Sequence, residues 1–327
     1  MKAISTVIAS ILMLMITIGL GGTAYLFISG TFTSKTAATF EVIDEVNGTV
    51  TIRNSGTETI TRITATLDGN PIGIGVSPNI QGLVGHWSMN DGNGQIARDS
   101  SGNRIDVTLG STPDPDTNDP AWGNGKVGDA LNFDGANDYI AKGGIGLDWG
   151  TSTTEFWYKP ESGASGTIVS NNMGGDAAPA FWFKIESNRI SMHILASDVQ
   201  YREIGSYAVI PDTWYHVAGT VSNNIEKFYV NGEFQSQGSY TPYSTHVNTG
   251  SYIFSIGSQY IWLGTGNGPT AFAKGTIDEV AIFNRALSES EIKQLYSGLV
   301  FPGQLTTVKP LTSLSKGTHT LRLCTSG

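Results

Sequence analysis

The first 34 residues constrain the fold more than any other part of the chain. Residues 3–34 contain no charged side chain, and residues 3–27 are mainly Ile, Leu, Met, Val, Ala and Thr. A run of this length can cross a hydrocarbon layer about 30 Å thick as one helix. It is longer than the apolar part of a secretory signal, which spans about 7–15 residues. The sequence therefore predicts a hydrophobic helix over residues 4–35 that contacts lipid or other helices.

A very short basic leader precedes this run, since Lys2 and Ala3 stand directly before Ile4. This opening resembles the class III signal of archaeal type IV pilins and related filament subunits, in which a prepilin peptidase cuts after a basic residue that Gly or Ala follows. The resemblance implies a leader over residues 1–3, processing at Lys2, Ala3 and Ile4, and a membrane-embedded precursor. An uncleaved single-pass membrane anchor is the alternative.

In that family the retained helix packs in the core of an extracellular filament made of identical subunits, with the help of assembly machinery. The resemblance therefore implies a helical homopolymer on the cell surface. The residues that it assigns to the assembly helix are Ile4, Val7, Ile8, Ile11, Leu12, Leu14 and Ile18.

Short strand-like segments flank a long middle region. Residues 39–67 contain turn sequences and are followed by Asp68-Gly69, and residues 305–311 and 318–323 are strand-like again. Because about 40 residues are few for a separate core, the two ends are predicted to form one discontinuous β head, 36–81 with 300–327. Its strands resemble those of archaeal pilin heads. Asn47 begins the one Asn-x-Ser/Thr sequon of the chain and is a candidate glycosylation site.

Charge separates the middle region from its flanks. Residues 83–298 hold 23 acidic and 12 basic residues, whereas the flanks hold 5 acidic and 7 basic residues. This shift predicts a separate domain, 82–299, inserted into the β head. The overall net charge of −9 argues against nucleic acid as a partner. The single cysteine, Cys324, excludes an intramolecular disulfide.

The middle region alternates short apolar runs with turns, which predicts an antiparallel β-sandwich. Ser288 and Glu291 form a capping-box pattern, and Gly298 marks the end of a short helix, 289–297. The region resembles the concanavalin A-like, laminin G-like jelly-roll family. The segments that carry the resemblance are residues 82–89, 99–103, 133–140, 214–218, 229–232 and 277–287. The predicted fold is therefore mainly β, with one long N-terminal helix, a small pilin-type head and a larger inserted jelly roll.

Members of this family often hold one structural calcium near the junction of the first and last strands, and the resemblance implies such a site here. Calcium takes six to eight oxygen ligands, which Asp, Asn and backbone carbonyls supply. The ligands implied by position are Asp91, Asn93, Asp99 and Asp278. Ordinary turn formation is the alternative for each of them, because Asx-Gly sequences bond their own backbone.

No enzymatic activity is predicted. Retaining glycoside hydrolysis needs two carboxyl groups about 5–5.5 Å apart. The acid pair on the last strand, Asp278 and Glu279, is predicted to point to opposite faces of the sheet. His86 and His216 lie in strand patterns and are interpreted as packed or surface groups. The sequence also lacks Gly-x-Ser-x-Gly, His-Glu-x-x-His and phosphate-loop motifs.

Jelly-roll lectins and laminin G-like modules bind glycans or proteins, so the resemblance implies adhesion. The predicted function is a structural subunit of an archaeal type IV pilus-like filament whose outward jelly roll binds surface glycans or proteins. The alternatives are a membrane-anchored, lectin-like surface protein that does not polymerise, and a carbohydrate-active enzyme. Aromatic residues in loop-like stretches are candidates for sugar stacking, with core packing as the alternative: Trp149, Tyr201, Tyr240, Tyr243 and Trp262.

Overall fold

The computed structural model describes residues 14–19, 25–27, 40–46, 49–60, 62–72, 74–78, 80–173, 180–195, 201–239, 252–261, 268–299, 305–310 and 318–326. The chain divides into two compact units. The smaller unit comprises Met1–Ile80 and Ser297–Gly327, and the larger unit comprises Gln81–Tyr296.

The described secondary structure is almost entirely β. The first strands in chain order are β1 (Leu14–Gly19), β2 (Tyr25–Phe27), β3 (Phe40–Val46), β4 (Thr49–Asn54), β5 (Arg62–Leu67), β6 (Asn70–Ile72) and β7 (Ile74–Pro78). They are followed by β8 (Leu83–Trp87), β9 (Ile96–Ala97), β10 (Val107–Thr108), β11 (Ala121–Asn124), β12 (Asp129–Asp134), β13 (Ile140–Gly143), β14 (Ser152–Pro160), β15 (Gly166–Met173), β16 (Ala180–Glu186) and β17 (Arg189–Leu195). The remaining elements are β18 (Tyr201–Ala208), β19 (Tyr215–Ser222), β20 (Ile225–Val230), β21 (Glu233–Ser239), β22 (Tyr252–Ile256), β23 (Gln259–Ile261), β24 (Gly268–Thr270), β25 (Lys274–Phe283), α1 (Glu289–Ser297), β26 (Leu305–Pro310) and β27 (Thr318–Ser326).

The described part of the smaller unit contains two antiparallel sheets. Their strand orders are β2-β1-β27-β5-β6 and β3-β4-β26-β7. Asp68 and Gly69 have φ angles of 49° and 86°, so they form the tight β5–β6 hairpin that their sequence predicts. Among the described residues of this unit, one buried apolar cluster comprises Val50, Ile52, Ala65, Val308, Leu321 and Leu323.

The predicted helix over residues 4–35 is wrong where the structure describes that segment, because Leu14–Gly19 and Tyr25–Phe27 are strands. Leu14 and Ile18, assigned to the assembly helix, both lie on β1, where they pair with Leu323 and His319 of β27. The other predicted helix and processing positions lie outside the described residues: Lys2, Ala3, Ile4, Val7, Ile8, Ile11 and Leu12. Asn47 also lies outside them.

Local sequence explains this strand. Ile16, Thr17 and Ile18 are three consecutive β-branched residues, which favour an extended backbone, and Gly19 ends the element. Hydrophobic length alone does not distinguish a helix from a strand that has a partner. Among the helices of the described residues, none has the length and apolar character needed to cross a membrane.

The larger unit is a β-sandwich of two antiparallel sheets. The eight-stranded sheet has the order β11-β12-β25-β14-β19-β20-β21, with β8 paired to β25. The six-stranded sheet has the order β13-β22-β15-β16-β17-β18. Both sheets contribute large apolar side chains to one core, which includes Trp87, Phe133, Phe156, Phe183, Ile256 and Val280. Burial of these side chains at about 25 cal/mol per Å² is the main force that holds the sheets together.

Helix α1 follows the last sandwich strand and has the ends that the sequence predicts. Ser288 N–H donates to Glu291 Oε2 at 2.9 Å, and Glu291 N–H donates back to Ser288 Oγ at 3.3 Å. This reciprocal capping box satisfies two backbone donors of the first turn. Gly298 closes the helix with a left-handed φ of 65°.

Candidate functional site

Asp278, a predicted calcium ligand, is fully buried on β25 and binds backbone groups. Its Oδ2 accepts the N–H groups of Lys126 and Val127 at 2.8 and 3.0 Å, and its Oδ1 accepts Glu279 N–H at 2.8 Å. Burial raises the pKa of Asp278 to about 7, although these three donors lower it. A Cβ at Gly125 would lie 2.6 Å from Asp278 Oδ2, so only glycine allows the turn to approach. The carboxyl group therefore holds the β11–β12 turn against the sheet.

The other predicted carboxylate ligands are also engaged. Asp99 Oδ1 accepts His86 N–H at 3.0 Å, and Asp99 Oδ2 accepts Ile105 N–H at 2.9 Å. These and further hydrogen bonds outweigh partial burial and lower the pKa of Asp99. Asp91 Oδ1 pairs with the Arg98 guanidinium at 2.6 Å.

The predicted calcium site does not fit this geometry. Within the ranges that the structure describes, no three side chains of Asp, Glu, His or Cys converge so that they could hold a metal ion. Asp91, Asp99 and Asp278 therefore do not form one ligand group, and Asn93 is an exposed side chain. Each of the three carboxylates instead stabilises a loop of the sandwich. Calcium binding by the protein stays a prediction.

Glu279 occupies a β-bulge that the sequence does not reveal. Trp157 pairs with Asp278 and Glu155 with Ala281, so two residues of β25 face one residue of β14. Glu279 has a φ of 50°, which breaks the strand alternation there. The prediction that Asp278 and Glu279 point to opposite faces is therefore wrong. Asp278 is fully buried, so the two acids do not supply the pair of accessible carboxyls that glycoside hydrolysis needs.

Ser100, His86 and Glu279 form a chain of hydrogen bonds. His86 Nδ1 lies 2.8 Å from Ser100 Oγ, and His86 Nε2 lies 2.7 Å from Glu279 Oε2. Burial alone would lower the pKa of His86, but the hydrogen bond and charge of Glu279 outweigh it and raise that pKa, with help from Glu155 and Asp99. A protonated imidazole donates from both nitrogens, and Ser100 Oγ donates to His86 O at 2.9 Å. These hydrogen bonds tie the Ser100 turn to His86 on β8 and to Glu279 on β25.

A second His–Glu pair lies on the same sheet, under α1. His216 Nε2 and Glu155 Oε2 are 2.9 Å apart, and both side chains are buried. Tyr296 of α1 stacks on Trp157 with ring centroids 5.7 Å apart and lies 6.0 Å from the His216 ring. The pair is thus closed off from solvent and anchors the helix side of the sandwich.

The outer side of the six-stranded sheet is the remaining candidate site. Along β16, Phe181 and Phe183 enter the core, so Trp182 and Lys184 lie on the opposite side. We call this side the polar face and define it by Trp182, Lys184, Ser191, His193 and Glu203.

The polar face has ordered side chains. The Trp182 and His193 rings stack with centroids 5.4 Å apart and planes 6° from parallel. Ser191 Oγ lies 2.7 Å from His193 Nε2. Burial is the main cause that lowers the pKa of His193; Lys184 lowers it further, while Glu203 and Glu186 oppose the shift. His193 is therefore a neutral ring at pH 7 that can both donate and accept hydrogen bonds.

Hydroxyl groups extend this row to the neighbouring strands. Ser170 pairs with Trp182 on one side and Ser255 on the other, and the two serine oxygens are 2.8 Å apart. Ser258 O lies 2.7 Å from Ser255 Oγ and 3.2 Å from Ser170 Oγ, so Ser255 can donate to this carbonyl while Ser170 donates to Ser255. Strand β23 packs against β15 beside this row. Ser170 and Ser255 are fully buried and Trp182 is 8% exposed, so the accessible part of the polar face lies on β16, β17 and β18, where Lys184, His193 and Glu203 reach the surface.

The sequence did not single out these residues. Among the aromatic candidates, Trp149 is buried in the core and stacks on Phe254, and Tyr201 begins β18. Tyr240, Tyr243 and Trp262 lie outside the described residues. In the sequence Phe181-Trp182-Phe183-Lys184, alternate side chains lie on opposite sides of the strand, so Trp182 and Lys184 share the side away from the core. This alternation is the sequence signal that could have identified the polar face.

A family model described as the concanavalin A-like lectin/glucanases superfamily matches residues 133–293. This match, together with the two packed antiparallel sheets, supports a laminin G-like, concanavalin A-like jelly-roll domain in the larger unit. This confirms the jelly-roll part of the predicted fold. A comparison with curated protein sequences found no match.

Three solved structures are similar to this chain. Domain 4 of AbnA, a GH43 extracellular arabinanase from Geobacillus stearothermophilus solved with arabinotriose, is 23% identical, with a TM-score of 0.50, over 66% of this chain and 98% of that one. The receptor-binding domain of botulinum neurotoxin C/D mosaic serotype is 15% identical, with a TM-score of 0.48, over 66% and 51%. The binding domain of Paraclostridial Mosquitocidal Protein 1 is 17% identical, with a TM-score of 0.48, over 66% and 52%. The chain spans about half the length of the last two structures.

Proposed function

We propose that the jelly-roll domain is a lectin-like binding module that takes a neutral, hydroxyl-rich ligand, a glycan, on its polar face. The observation that carries the proposal is the stacked Trp182–His193 pair between hydrogen-bonding neighbours. An aromatic body next to several donors and acceptors suits sugar rings, which have apolar C–H faces and polar hydroxyl edges.

The charge of the polar face supports a neutral ligand. Lys184 Nζ pairs with Glu186 Oε2 at 2.7 Å, which leaves no excess of positive charge there. Glu203 is exposed beside His193 and can accept two hydroxyl hydrogen bonds through its carboxylate. The net charge of −9 also disfavours nucleic acid and other polyanions.

Arabinotriose is the first probe, because the arabinanase domain with the same fold was solved with it. An array of neutral oligosaccharides is the second, and isothermal titration of the full-length protein gives the affinity. We expect His193→Ala and Glu203→Ala to weaken binding by about threefold to tenfold each, as for the loss of one hydrogen bond of about 0.5–1.5 kcal/mol.

The matched control is Lys227→Ala, which removes a half-exposed side chain from the opposite sheet. Its affinity should equal that of the unaltered protein. Equal affinity of all three variants for every sugar that binds would contradict the polar face as the site. Absence of binding to the whole array would contradict the glycan proposal itself.

The N-terminal sequence supports a second candidate function, the pilus-like filament subunit. The observation that favours it is the Lys2-Ala3 pair, in which Lys2 directly precedes the chain's uncharged run, residues 3–34. The proposal includes cleavage by a prepilin peptidase, a membrane-embedded precursor, identical subunits as partners and an extracellular location. Because Leu14–Gly19 is a strand, assembly would use contacts other than those of the predicted helix in that segment.

Mass spectrometry of protein sheared from cells tests this second candidate. An N terminus at Ala3 or Ile4 in sheared material would support filament assembly. An intact Met1 confined to the membrane fraction would contradict it and would favour an anchored, lectin-like surface protein. Glycan binding by the jelly roll does not depend on either outcome.

A further inference from the structure

Glu226 is a carboxylic acid inside the sandwich. On β20, Phe228 and Val230 belong to the core while Ile225 is exposed on the other side, so the strand alternation directs Glu226 towards the space between the sheets. Its side chain has no solvent exposure. None of the binding or structural roles described above uses it.

The carboxyl group has no hydrogen-bond partner. Both Oε1 and Oε2 of Glu226 are buried and unpaired, and so is Ser236 Oγ on the neighbouring edge strand β21. The residues paired across from Glu226 are Val221 on β19 and Gly238 on β21. Burying an unpaired charge is far more costly than burying a neutral acid, so the closed sandwich requires Glu226 to carry a proton.

The described side chains on the strands around Glu226 are mostly apolar. Ile194 on β17, Val221 on β19 and Ile204 on β18 form a small apolar cluster there. Two polar side chains also lie on these strands: Ser236 on β21, and Arg202 on β18, which pairs in register with Ile194. Burial alone raises the pKa of Glu226 to about 8, so Arg202 does not neutralise it.

The edge of the sandwich closes at this place by direct contact of the two sheets. Strand β18 of the six-stranded sheet packs against β20 and β21 of the eight-stranded sheet. Glycines allow the close approach: a Cβ at Gly238 would lie 2.6 Å from Ile204 Cδ1, and a Cβ at Gly205 would collide with Ser236 Oγ. Separation of these strands would give a charged Glu226 access to water.

We propose that Glu226 is a proton-controlled latch on this edge: the protonated acid lets β18 close on β20 and β21, and loss of the proton opens them. The proposal is independent of glycan binding on the polar face. Opening exposes the backbone of β18 and β21, which are the last strands of their sheets.

The sign of the pH effect follows from linkage. Glu226 in the closed edge titrates at about 8, against 4.5 for an ordinary glutamate. The closed edge is therefore most stable below pH 4.5, loses stability as the pH rises to about 8, and changes little above that. Between pH 6 and pH 9 the opening equilibrium should rise by roughly 90-fold if the open form titrates normally.

Hydrogen exchange of backbone amides, corrected for the intrinsic pH dependence of exchange, tests the latch on the full-length protein. We expect protection of β18 and β21 to fall by roughly 90-fold between pH 6 and pH 9, while the central strand β14 keeps its protection. In Glu226→Gln, which stays neutral, the same amides should show no such fall.

Glu289→Gln is the control for the loss of a carboxylate, because this side chain is exposed on α1. It should behave as the unaltered protein does. Glu226→Met serves as a second neutral variant if the glutamine variant fails to fold. The proposal would be overturned if protection fell equally between pH 6 and pH 9 in the unaltered protein and in a neutral variant. It would also be overturned if β18 and β21 of the unaltered protein kept the same protection over that range.

Discussion

Trp182 and His193 stack on adjacent strands with their ring planes 6° from parallel, and Ser191 Oγ lies 2.7 Å from His193 Nε2. This arrangement fixes the imidazole ring on the polar face. Because Nε2 is engaged by Ser191, Nδ1 of the neutral ring is the nitrogen left to bind a ligand hydroxyl. The protonation state of His193 should therefore control the proposed binding.

The first prediction concerns the pH dependence of glycan binding. Because the pKa of His193 is lowered from 6.5, the ring is neutral at pH 7 and above, and affinity should be constant there. Below that lowered pKa, affinity for a neutral sugar should fall by about tenfold per pH unit if only the neutral ring binds. Titration calorimetry from pH 8 to pH 5 measures this. An affinity that stays the same down to pH 5, with the protein still folded, would exclude His193 as a ligand contact.

Stability of the larger unit can be measured separately from the rest of the chain. All seven tryptophans lie between Trp87 and Trp262, inside Gln81–Tyr296. Tryptophan fluorescence during urea unfolding therefore reports the jelly roll alone. The three stability predictions that follow use this signal.

The second prediction separates a structural from a metal-binding role for Asp278. Its two oxygens accept three backbone N–H groups, so Asp278→Ala should lower the free energy of unfolding by about 2–4 kcal/mol. The loss should be equal in calcium and in chelator, because the carboxyl group binds the turn and not an ion. Asn93→Ala, an exposed change at another predicted ligand, is the control and should have little effect. A loss that appears only in calcium would restore the calcium assignment.

Short-range features of the fold follow from the sequence. The ends of α1 could be predicted because Ser288 and Glu291 bond each other across one turn. The β20–β21 turn is equally local: Asn231 and Gly232 have φ angles of 52° and 76°, as an Asn-Gly hairpin requires. Such motifs need no information from distant parts of the chain.

Long-range features could not be predicted in the same way. The Asp278 carboxyl meets the backbone of Lys126, 152 positions away, and nothing local to either residue shows that contact. The bulge at Glu279 shifts one residue of β25 against β14, so an alternation rule applied to the sequence assigns the wrong face. Strand β1 depends on pairing with β27 at the other end of the chain. Tertiary pairing decided each of these cases.

The third prediction concerns acid stability. The Glu291 carboxylate takes two hydrogen bonds from Arg285, at 2.6 and 3.0 Å, and others from Ser288. These contacts outweigh partial burial and lower the pKa of Glu291 to about 2. The folded pKa is depressed, so this stabilisation is present above pH 4.5 and is lost as the pH falls towards 2.

Glu291→Gln should remove that acid-sensitive contribution. We expect the variant's free energy of unfolding to be lower by about 1–2 kcal/mol at pH 7, which is the range for a partly exposed capping group. Near pH 2, the free energies of unfolding of the variant and the unaltered protein should become equal. Glu289→Gln, on the exposed side of α1, should change stability little at either pH. The same loss at pH 7 and pH 2 would show that the effect is steric and not electrostatic.

The fourth prediction tests whether Glu155 and His216 act as one unit. Their side chains are 6% and 0% exposed and 2.9 Å apart, so truncation of either one leaves the other without its partner. His216→Ala should cost about 1–3 kcal/mol for the orphaned carboxyl group, in addition to the cavity that it creates. Replacing both residues by apolar ones of similar size, Glu155→Met with His216→Phe, removes both polar groups together. The double variant should therefore be more stable than the sum of the two single changes predicts. Strict additivity would show that the two residues make independent contributions.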